Sequence, residues 1–255
     1  MIGAARIEDN IPPCDETIEL ISHGAGTSRF GNFHNYYEFN PISKRLKLLT
    51  PDWVLPLSDR KSLRALDIGC NSGELTVELH SHLKLLGKPL TTLGFDIDPA
   101  LIKKAREWTS SDEVEDIKFE TIDVMRDEDR DRVNGFAMHF DVAFCFAVTM
   151  WIHLNYGDDG LKMFLKYVAS KCDFLVIEPQ TWKCYRNASR RMRKEKKAFF
   201  QDIDELCWKN DILEKIDEFL QEDCDMRVER KFGITPWGRP ITMYRTRIPK
   251  IEMTK

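Results

Sequence analysis

The sequence has few of the features that mark metal-binding, secreted or membrane proteins. Its seven cysteines include no C-x-x-C pair and its six histidines no H-E-x-x-H spacing, so we expect no bound metal. The longest uncharged apolar run, residues 142–152, is far shorter than the roughly 20 residues of a membrane-spanning helix. Acidic residues near the N-terminus argue against an export signal. We therefore expect reduced thiols and a cytoplasmic protein, with a nuclear location also open.

Charge is unevenly distributed along the chain. The composition, 255 residues with 42% apolar and 31% charged, is typical of one large globular domain, and a net charge of −4 argues weakly against a nucleic-acid partner. However, residues 183–197 contain eight basic residues and one acid, a net charge of +7, which leaves −11 elsewhere. On a helix, Arg186, Arg190, Arg193 and Lys197 would share one face. That face is either a track for a phosphate backbone or an ordinary solvated surface.

Strand-like and helix-like segments alternate after an irregular start. Residues 1–28 contain Pro-Pro and Gly-Ala-Gly and no apolar periodicity, which predicts an irregular lead-in. Predicted strands span residues 65–68, 92–95, 117–122, 142–147 and 174–177. Predicted helices span residues 74–86, 99–108 and 158–169. Strand, helix and strand in this order indicate crossover units and a mainly parallel sheet.

The last quarter of the chain distinguishes this fold from a dinucleotide-binding one. A polar helix is predicted over residues 187–206 and a shorter one over 212–220. Two strands, 227–234 and 241–248, follow with a short Pro/Gly turn between them, which is typical of an antiparallel hairpin. The sequence therefore predicts an α/β fold of the class I (Rossmann-like) S-adenosylmethionine-dependent methyltransferases, a mainly parallel seven-stranded sheet ending in an antiparallel hairpin.

A glycine loop lies between the first predicted strand and helix, in Leu66-Asp-Ile-Gly-Cys-Asn-Ser-Gly-Glu-Leu75. Gly69 and Gly73 would let a ligand approach the backbone, although such a spacing often serves packing alone. The pattern differs from the G-x-G-x-x-G that holds a pyrophosphate, and Glu74 would repel a diphosphate at the helix start. These features disfavour a nicotinamide oxidoreductase and favour a zwitterionic cofactor without phosphate.

Acidic residues at the strand ends narrow the choice of cofactor. Asp96 ends the second strand, where it can accept both ribose hydroxyls, and Asp123 follows the third, where it can accept the adenine amine. Together with the loop they predict S-adenosylmethionine. Asp67 is either a cofactor ligand or a structural carboxylate that bonds the loop amides, and both alternatives stay open. Asp98, before Pro99, is interpreted as a helix cap.

Three further strings of the sequence are long and rare, namely Arg29-Phe-Gly-Asn-Phe-His-Asn-Tyr-Tyr-Glu-Phe-Asn40, Thr149-Met-Trp-Ile-His-Leu-Asn-Tyr-Gly-Asp-Asp-Gly160 and Glu178-Pro-Gln-Thr-Trp-Lys-Cys-Tyr185. Together they resemble the bicoid-interacting-protein family of RNA 5′-phosphate methyltransferases, and the match runs from Arg29 to Tyr185. The short chain and its Trp-Lys-Cys-Tyr string are closer to the compact branch, which methylates 5′-monophosphates of small RNAs such as histidine tRNA and microRNA precursors.

The resemblance implies one methyltransferase domain over residues 29–250, with an N-terminal flap (29–60) and a basic helical insertion (183–221). We expect a monomer whose partner is a small RNA with a 5′-monophosphate, and neither DNA nor a membrane as partner. Capping of the γ-phosphate of a small nuclear RNA, methylation of a small molecule, and a non-catalytic RNA-binding scaffold are the alternatives.

The resemblance also implies roles for single residues. Arg45 matches the arginine that reaches the cofactor carboxylate, a bidentate task, although an exposed helix charge is the alternative. Tyr36 matches a tyrosine between the cofactor and the RNA phosphate, whereas Tyr37 is interpreted as packing. The remaining positions assigned to the cofactor are Asn71, Ile97, Val124 and Phe146, and those assigned to the RNA are Lys183, Arg186, Arg190 and Arg193.

Methylation of a phosphate needs no general base, because a 5′-monophosphate with a second pKa of ~6 is already ionised at neutral pH. The site must instead align the reactants, exclude water and hold the non-reacting oxygens. Tyr36, His153 and Asn155 are the predicted donors. The alternative for His153 is a buried structural group, and Trp151 is interpreted as core.

Overall fold

The computed structural model describes residues 30–31, 34–109, 116–194 and 203–247. The predicted irregular lead-in, residues 1–28, lies outside the described residues, as does the end of the last predicted strand at residue 248.

A seven-stranded sheet organises the chain in the order β3-β2-β1-β4-β5-β7-β6. The first five strands are parallel, and β7 lies antiparallel between β5 and β6. The predicted sheet and its closing hairpin are therefore confirmed. The strands are β1 Leu63–Ile68, β2 Leu90–Asp96, β3 Ile117–Thr121, β4 Phe140–Phe146, β5 Cys172–Glu178, β6 Met226–Ile234 and β7 Pro240–Thr246.

Helices cover both faces of the sheet. The α-helices are α1 Tyr36–Phe39, α2 Ile42–Leu46, α3 Glu74–Lys84, α4 Pro99–Trp108, α5 Asp127–Phe136, α6 Thr149–Lys171, α7 Trp182–Lys194 and α8 Ile212–Glu222. The described residues also form 3₁₀ helices at Pro51–Leu57 and Ile203–Glu205. Within the described ranges, no helix is long and apolar enough to cross a membrane.

Alternate strand residues supply two apolar layers, as expected for a parallel sheet covered on both faces. Leu66 and Leu175 pack toward α6 and α8, in a cluster that also contains Phe164. Ala65 and Val142 point to the other face, where the helix α3 and the first 3₁₀ helix pack. With both faces buried, the carboxyl edge of the parallel strands is the place where polar side chains can converge.

The start of α4 confirms the predicted cap. The Asp98 carboxylate accepts a hydrogen bond from the Ala100 backbone N–H at 2.7 Å, and Pro99 occupies the first helical position.

The helix α5 and the first part of α6 are among the helical segments that were not predicted from the sequence. The helix α5 begins with Asp-Glu-Asp-Arg-Asp-Arg and buries only Val133, so it carries almost no apolar periodicity. The helix α6 begins nine residues before the predicted 158–169 segment and is broken at Gly157, whose φ of 68° is left-handed. The apolar string at 149–152 therefore opens a helix.

The predicted polar helix over residues 187–206 is wrong at both ends. The helix α7 begins at Trp182, because Tyr185 and Ala188 bury one of its faces. At the other end, residues 203–205 form a separate 3₁₀ turn and Leu206 is not helical. The Asp158 carboxylate accepts hydrogen bonds from the backbone N–H groups of Cys207 and Trp208, both at 2.8 Å, which holds the chain in a turn there.

Candidate functional site

The loop after β1 and the end of β2 are joined at the carboxyl edge of the sheet. One Asp96 carboxylate oxygen accepts from the Asn71 backbone N–H at 3.1 Å, and the other accepts from the Asp98 N–H at 2.9 Å. Asn71 adopts a left-handed φ of 53°, and its amide oxygen accepts from the Ser72 N–H at 2.9 Å. Asp96 is thus held rigidly beside the glycine loop.

Packing explains the two glycines of the loop. Both have left-handed φ values, 72° at Gly69 and 86° at Gly73. A Cβ at Gly69 would lie 2.5 Å from Val148, and one at Gly73 would lie 2.8 Å from Phe119. Neither glycine alone is therefore evidence for a ligand, and the packing alternative holds for both.

Three acidic side chains beside this loop are wholly or partly buried, without a cationic partner among the described residues or enough hydrogen bonds to balance the loss of solvent. Asp67 is buried, and its carboxylate accepts a hydrogen bond from the hydroxyl of Thr76 in α3 at 2.6 Å. This partner is a helix side chain, whereas the structural alternative expected the amides of the loop. Burial raises its pKa to about 7 against the opposing Thr76 bond, with a further contribution from Asp96. Burial also raises the pKa of Asp96 to about 6. The Glu74 Oε2 is buried with no hydrogen-bond partner in the described part of the chain. A cationic ligand group beside these three acids would stabilise their ionised forms.

Arg45 lies in the interior, so the predicted alternative of an exposed charge is wrong. Its side chain is fully buried and pairs with the carboxylate of Glu178 through Nε at 2.5 Å and Nη2 at 3.1 Å. Nη2 also donates to the Tyr36 hydroxyl at 2.6 Å. The Arg45 Cζ lies 5.6 Å from the ring centroid of Phe146, the last residue of β4.

The turn between β6 and β7 completes this cluster. The Trp237 Nε1 donates to Glu178 at 3.0 Å. The Arg239 Nη1 lies 3.2 Å from the Tyr36 hydroxyl and 3.4 Å from Glu178. We call the resulting group of five residues the arginine cluster; it consists of Tyr36, Arg45, Glu178, Trp237 and Arg239. Sequence reasoning assigned no role to Glu178, Trp237 or Arg239, although Glu178 ends a parallel strand in the same way as Asp96 and could have been found by that rule.

The cluster and the acids together fit the methionine end of S-adenosylmethionine. The Arg45 Nη1 is buried and has no partner among the described residues, so it is available for a carboxylate. Arg45 is near enough to Asp67 to oppose the rise in the pKa of that carboxyl. One site therefore contains a spare cationic donor and an excess of carboxylates, which suits a zwitterion that also carries a sulfonium.

The N-terminal flap crosses this edge. The His34 Nε2 lies 3.3 Å from the Asp98 carboxylate, and the Tyr37 hydroxyl donates to the Cys70 carbonyl at 3.5 Å. Tyr37 packs against the apolar layer that contains α3, as predicted. A Cβ at Gly31 would lie 2.1 Å from the ring of Trp151, which is itself a core residue, again as predicted. The flap thus covers the side of the site where Tyr36 lies.

Two of the three predicted donors are engaged within the protein. The side chain of His153 is fully buried, with Nδ1 at 3.1 Å from the Tyr185 hydroxyl and Nε2 at 3.3 Å from Asp158. Burial lowers its pKa despite Asp158, which favours a neutral ring. These contacts favour the structural alternative for His153 over the predicted donor role. Asn155 is half-buried, and its Nδ2 donates to the Trp151 carbonyl at 2.8 Å.

The other predicted cofactor positions follow β2 and β3 or end β4, at the same edge. Asp123 is half-buried and accepts from the Met125 N–H at 3.0 Å. Ile97 is half-buried, whereas Val124 and Phe146 are buried. The structure thus places these residues along the edge where the sequence predicted a nucleoside.

The helix α7 presents basic residues to solvent. Lys183, Arg186 and Arg190 are exposed, while Tyr185 faces the core. The side chain of the predicted Arg193 and the whole of Lys197 lie outside the described residues. The helix follows Glu178 by four residues, so its exposed face begins close to the arginine cluster.

Within the ranges that the structure describes, no group of three or more His, Cys, Asp or Glu side chains is placed to hold a metal ion.

Comparison with known proteins shows that the sequence is similar to a family of methyltransferases. A family model described as Bicoid-interacting protein 3 (Bin3) matches residues 140–246, and one described as a methyltransferase domain matches residues 66–171. A pre-miRNA 5′-monophosphate methyltransferase of Xenopus laevis is 40% identical over 239 residues, 86% of this chain and 93% of that protein. An RNA 5′-monophosphate methyltransferase of Bos taurus is 36% identical over 241 residues, 87% of this chain and 82% of that protein.

A solved structure supports the fold alone. The N-methyltransferase NodS from Bradyrhizobium japonicum, in complex with S-adenosyl-L-homocysteine, has a TM-score of 0.54 at 15% identity and covers 84% of this chain and 91% of that one. Together with the strand order, this likeness confirms the predicted methyltransferase architecture.

Proposed function

The chain belongs to the Bicoid-interacting protein 3 (Bin3) family, and from this membership and its site we propose that it is an S-adenosylmethionine-dependent methyltransferase acting on the 5′-monophosphate of small RNAs. The observation that carries the proposal is the position of Tyr36, whose hydroxyl contacts two buried guanidinium groups beside the cofactor edge.

The chain's own residues would hold the cofactor by charge and backbone shape. When bound, S-adenosylmethionine supplies a methyl group on a positively charged sulfur. Arg45 would bind its carboxylate through the unpartnered Nη1, and Asp67 would face its cationic groups. Asp96 would accept hydrogen bonds from the ribose hydroxyls, and Asp123 would accept one from the adenine amine. The rigid bonds between Asp96 and the glycine loop fix this arrangement before binding, which lowers the cost of ordering.

The acceptor requires alignment and not deprotonation, because the 5′-monophosphate is already ionised at neutral pH. The Tyr36 hydroxyl accepts from Arg45 and is contacted by Arg239, so its own hydrogen is free to donate to a phosphate oxygen. Two neighbouring cations strengthen that donor. The flap would exclude water from the reacting groups, and the neutral, buried His153 would serve the framework.

Recognition of an RNA end would combine this site with α7. The exposed residues Lys183, Arg186 and Arg190 can contact backbone phosphates beyond the terminal nucleotide. An acidic remainder elsewhere on the protein would restrict RNA to this face. A single protein copy supplies every group in this scheme, and we retain as predictions the monomer and a cytoplasmic location, with the nucleus also open.

The test is methyl transfer onto one RNA prepared with a 5′-hydroxyl, a 5′-monophosphate or a 5′-triphosphate. We expect labelling of the monophosphate form. Labelling of the hydroxyl form would contradict phosphate methylation, and labelling of the triphosphate form alone would favour capping of a γ-phosphate. Equal activity on a free nucleotide would favour a small-molecule enzyme, and absence of cofactor binding in calorimetry would favour a scaffold.

A further inference from the structure

Two buried guanidinium groups share a single carboxylate in the arginine cluster. The bidentate pair with Arg45 already occupies both oxygens of Glu178. Arg239 is 3.4 Å from one of these oxygens, at the long limit of a hydrogen bond, and no other carboxylate in the described ranges pairs with it. Arg45 and Glu178 are 0% exposed and Arg239 is 7% exposed, so the cluster buries a formal charge of +1. A buried charge without a counterion is costly, and the cofactor carboxylate proposed at Arg45 would offset it on that side. A second anion at Arg239 therefore depends on the donor that Arg239 itself keeps free.

Arg239 has a donor to spare. Its Nη1 is directed at Tyr36 and Glu178, and its guanidinium also interacts with the Cys184 side chain, whereas its Nε is buried and has no hydrogen-bond partner in the described part of the chain. The Nε side of a guanidinium presents N–H groups in a planar fork whose geometry matches two oxygens of a phosphate. A phosphate is thus a suitable counterion for this residue.

The turn that carries Arg239 is rigid. The Thr235 N–H donates to the Arg239 carbonyl at 2.8 Å, and the Arg239 N–H donates to the Thr235 hydroxyl at 3.0 Å. Gly238 has the left-handed φ of 80° that the turn requires. Trp237 anchors the same turn to Glu178. The guanidinium is therefore held in place before any ligand arrives.

We propose that Arg239 binds a non-reacting oxygen of the RNA 5′-phosphate and is the main determinant of preference for a phosphorylated end. This inference rests on the phosphate methylation proposed above. The two arginines divide the anions of the reaction between them: Arg45 takes the cofactor carboxylate and Arg239 takes the substrate phosphate. The Tyr36 hydroxyl touches both guanidinium groups, so it borders both proposed anion sites.

The experiment measures binding and not turnover. Short labelled RNAs with a 5′-monophosphate or a 5′-hydroxyl are titrated, by fluorescence anisotropy, onto protein saturated with S-adenosylhomocysteine. We compare wild type, Arg239→Gln, Arg239→Lys and the control Arg227→Gln, an exposed arginine on the same hairpin. We expect wild type and Arg227→Gln to bind the 5′-monophosphate RNA at least about tenfold more tightly than the 5′-hydroxyl RNA. Arg239→Gln should bind both RNAs equally while its affinity for S-adenosylhomocysteine stays within about twofold of wild type.

Each outcome decides the assignment. If wild type methylates monophosphate RNA and Arg239→Gln keeps the preference, the inference is overturned while the proposed function stands. Loss of S-adenosylhomocysteine affinity with the preference retained would move Arg239 to the cofactor and also overturn it. If wild type neither prefers nor methylates monophosphate RNA, the proposed function itself fails. Should Arg239→Gln not fold by circular dichroism, Arg239→Lys decides: it keeps the cation without the fork, and an unchanged preference would overturn the inference.

Discussion

Asp67 provides a test in which stability and cofactor binding change in opposite directions. Its folded-state pKa of about 7 exceeds its ordinary value of 3.8 because of burial. The folded protein therefore holds this proton more tightly than the unfolded chain, and the contribution of Asp67 to stability is lost as the pH rises toward 7. At ~1.4 kcal/mol per pKa unit, the full loss above pH 7 is at most ~4 kcal/mol, of which roughly 2–3 kcal/mol falls between pH 5 and pH 8.

Asp67→Asn removes this titration while keeping an acceptor for the Thr76 hydroxyl. The free energy of unfolding of the variant relative to wild type should be higher at pH 8 than at pH 5 by roughly 2–3 kcal/mol, measured by urea denaturation without cofactor. Comparison of the two pH values cancels packing effects of the amide itself. Asp159→Asn, at a fully exposed carboxylate, should show no such difference.

The same substitution should weaken S-adenosylmethionine binding by about tenfold in calorimetry, since it removes a charge that faces the cationic end of the cofactor. A relative stability that is the same at both pH values would refute the raised pKa of Asp67. Unchanged cofactor affinity would refute its place in the cofactor site.

Three further predictions address the acceptor, the RNA track and the loop. Tyr36→Phe removes the hydroxyl that contacts both guanidinium groups, and we expect kcat to fall by about tenfold or more in single-turnover assays, with cofactor affinity changed only a few-fold; an unchanged kcat would exclude Tyr36 as a donor. Arg186→Glu combined with Arg190→Glu should weaken RNA binding and flatten the plot of log affinity against log salt by about 1.5 units, whereas an unchanged slope would identify α7 as a solvated face. Gly73→Ala should lower the free energy of unfolding by about 2 kcal/mol or more, because the φ of 86° and the contact with Phe119 both exclude a Cβ, and a melting temperature equal to that of wild type would contradict this packing.

The sequence predicted those parts of the site that depend on local rules. Asp96 could be placed because strand ends in a parallel sheet share one edge, and the Asp98-Pro99 cap because its pattern is local. Arg239 could not be found in this way, since it lies 61 residues from Glu178 and reaches it only through the pairing of β5 with β7. The resemblance to a family supplied Arg45 but not its buried partner.

His153 shows that the sequence alone does not distinguish a site residue from a buried structural residue. Its apolar neighbours are compatible with either a site residue or a core residue, because the hydrogen-bond partners that decide are distant in sequence or hidden by a helix break. Tyr185 is 32 residues away on α7, and Asp158 follows the break at Gly157. Only the packed structure distinguishes the two alternatives.

The central claim is that the methyl acceptor is an oxygen of a 5′-terminal RNA phosphate, and mass spectrometry of the terminal nucleotide tests it most directly. After incubation of a 5′-monophosphate RNA with the protein and S-adenosylmethionine, nuclease digestion should release a terminal nucleotide whose added methyl lies on the phosphate, so that phosphatase no longer removes that group. A methyl found on a base or ribose, with the phosphate still removable, would contradict the account.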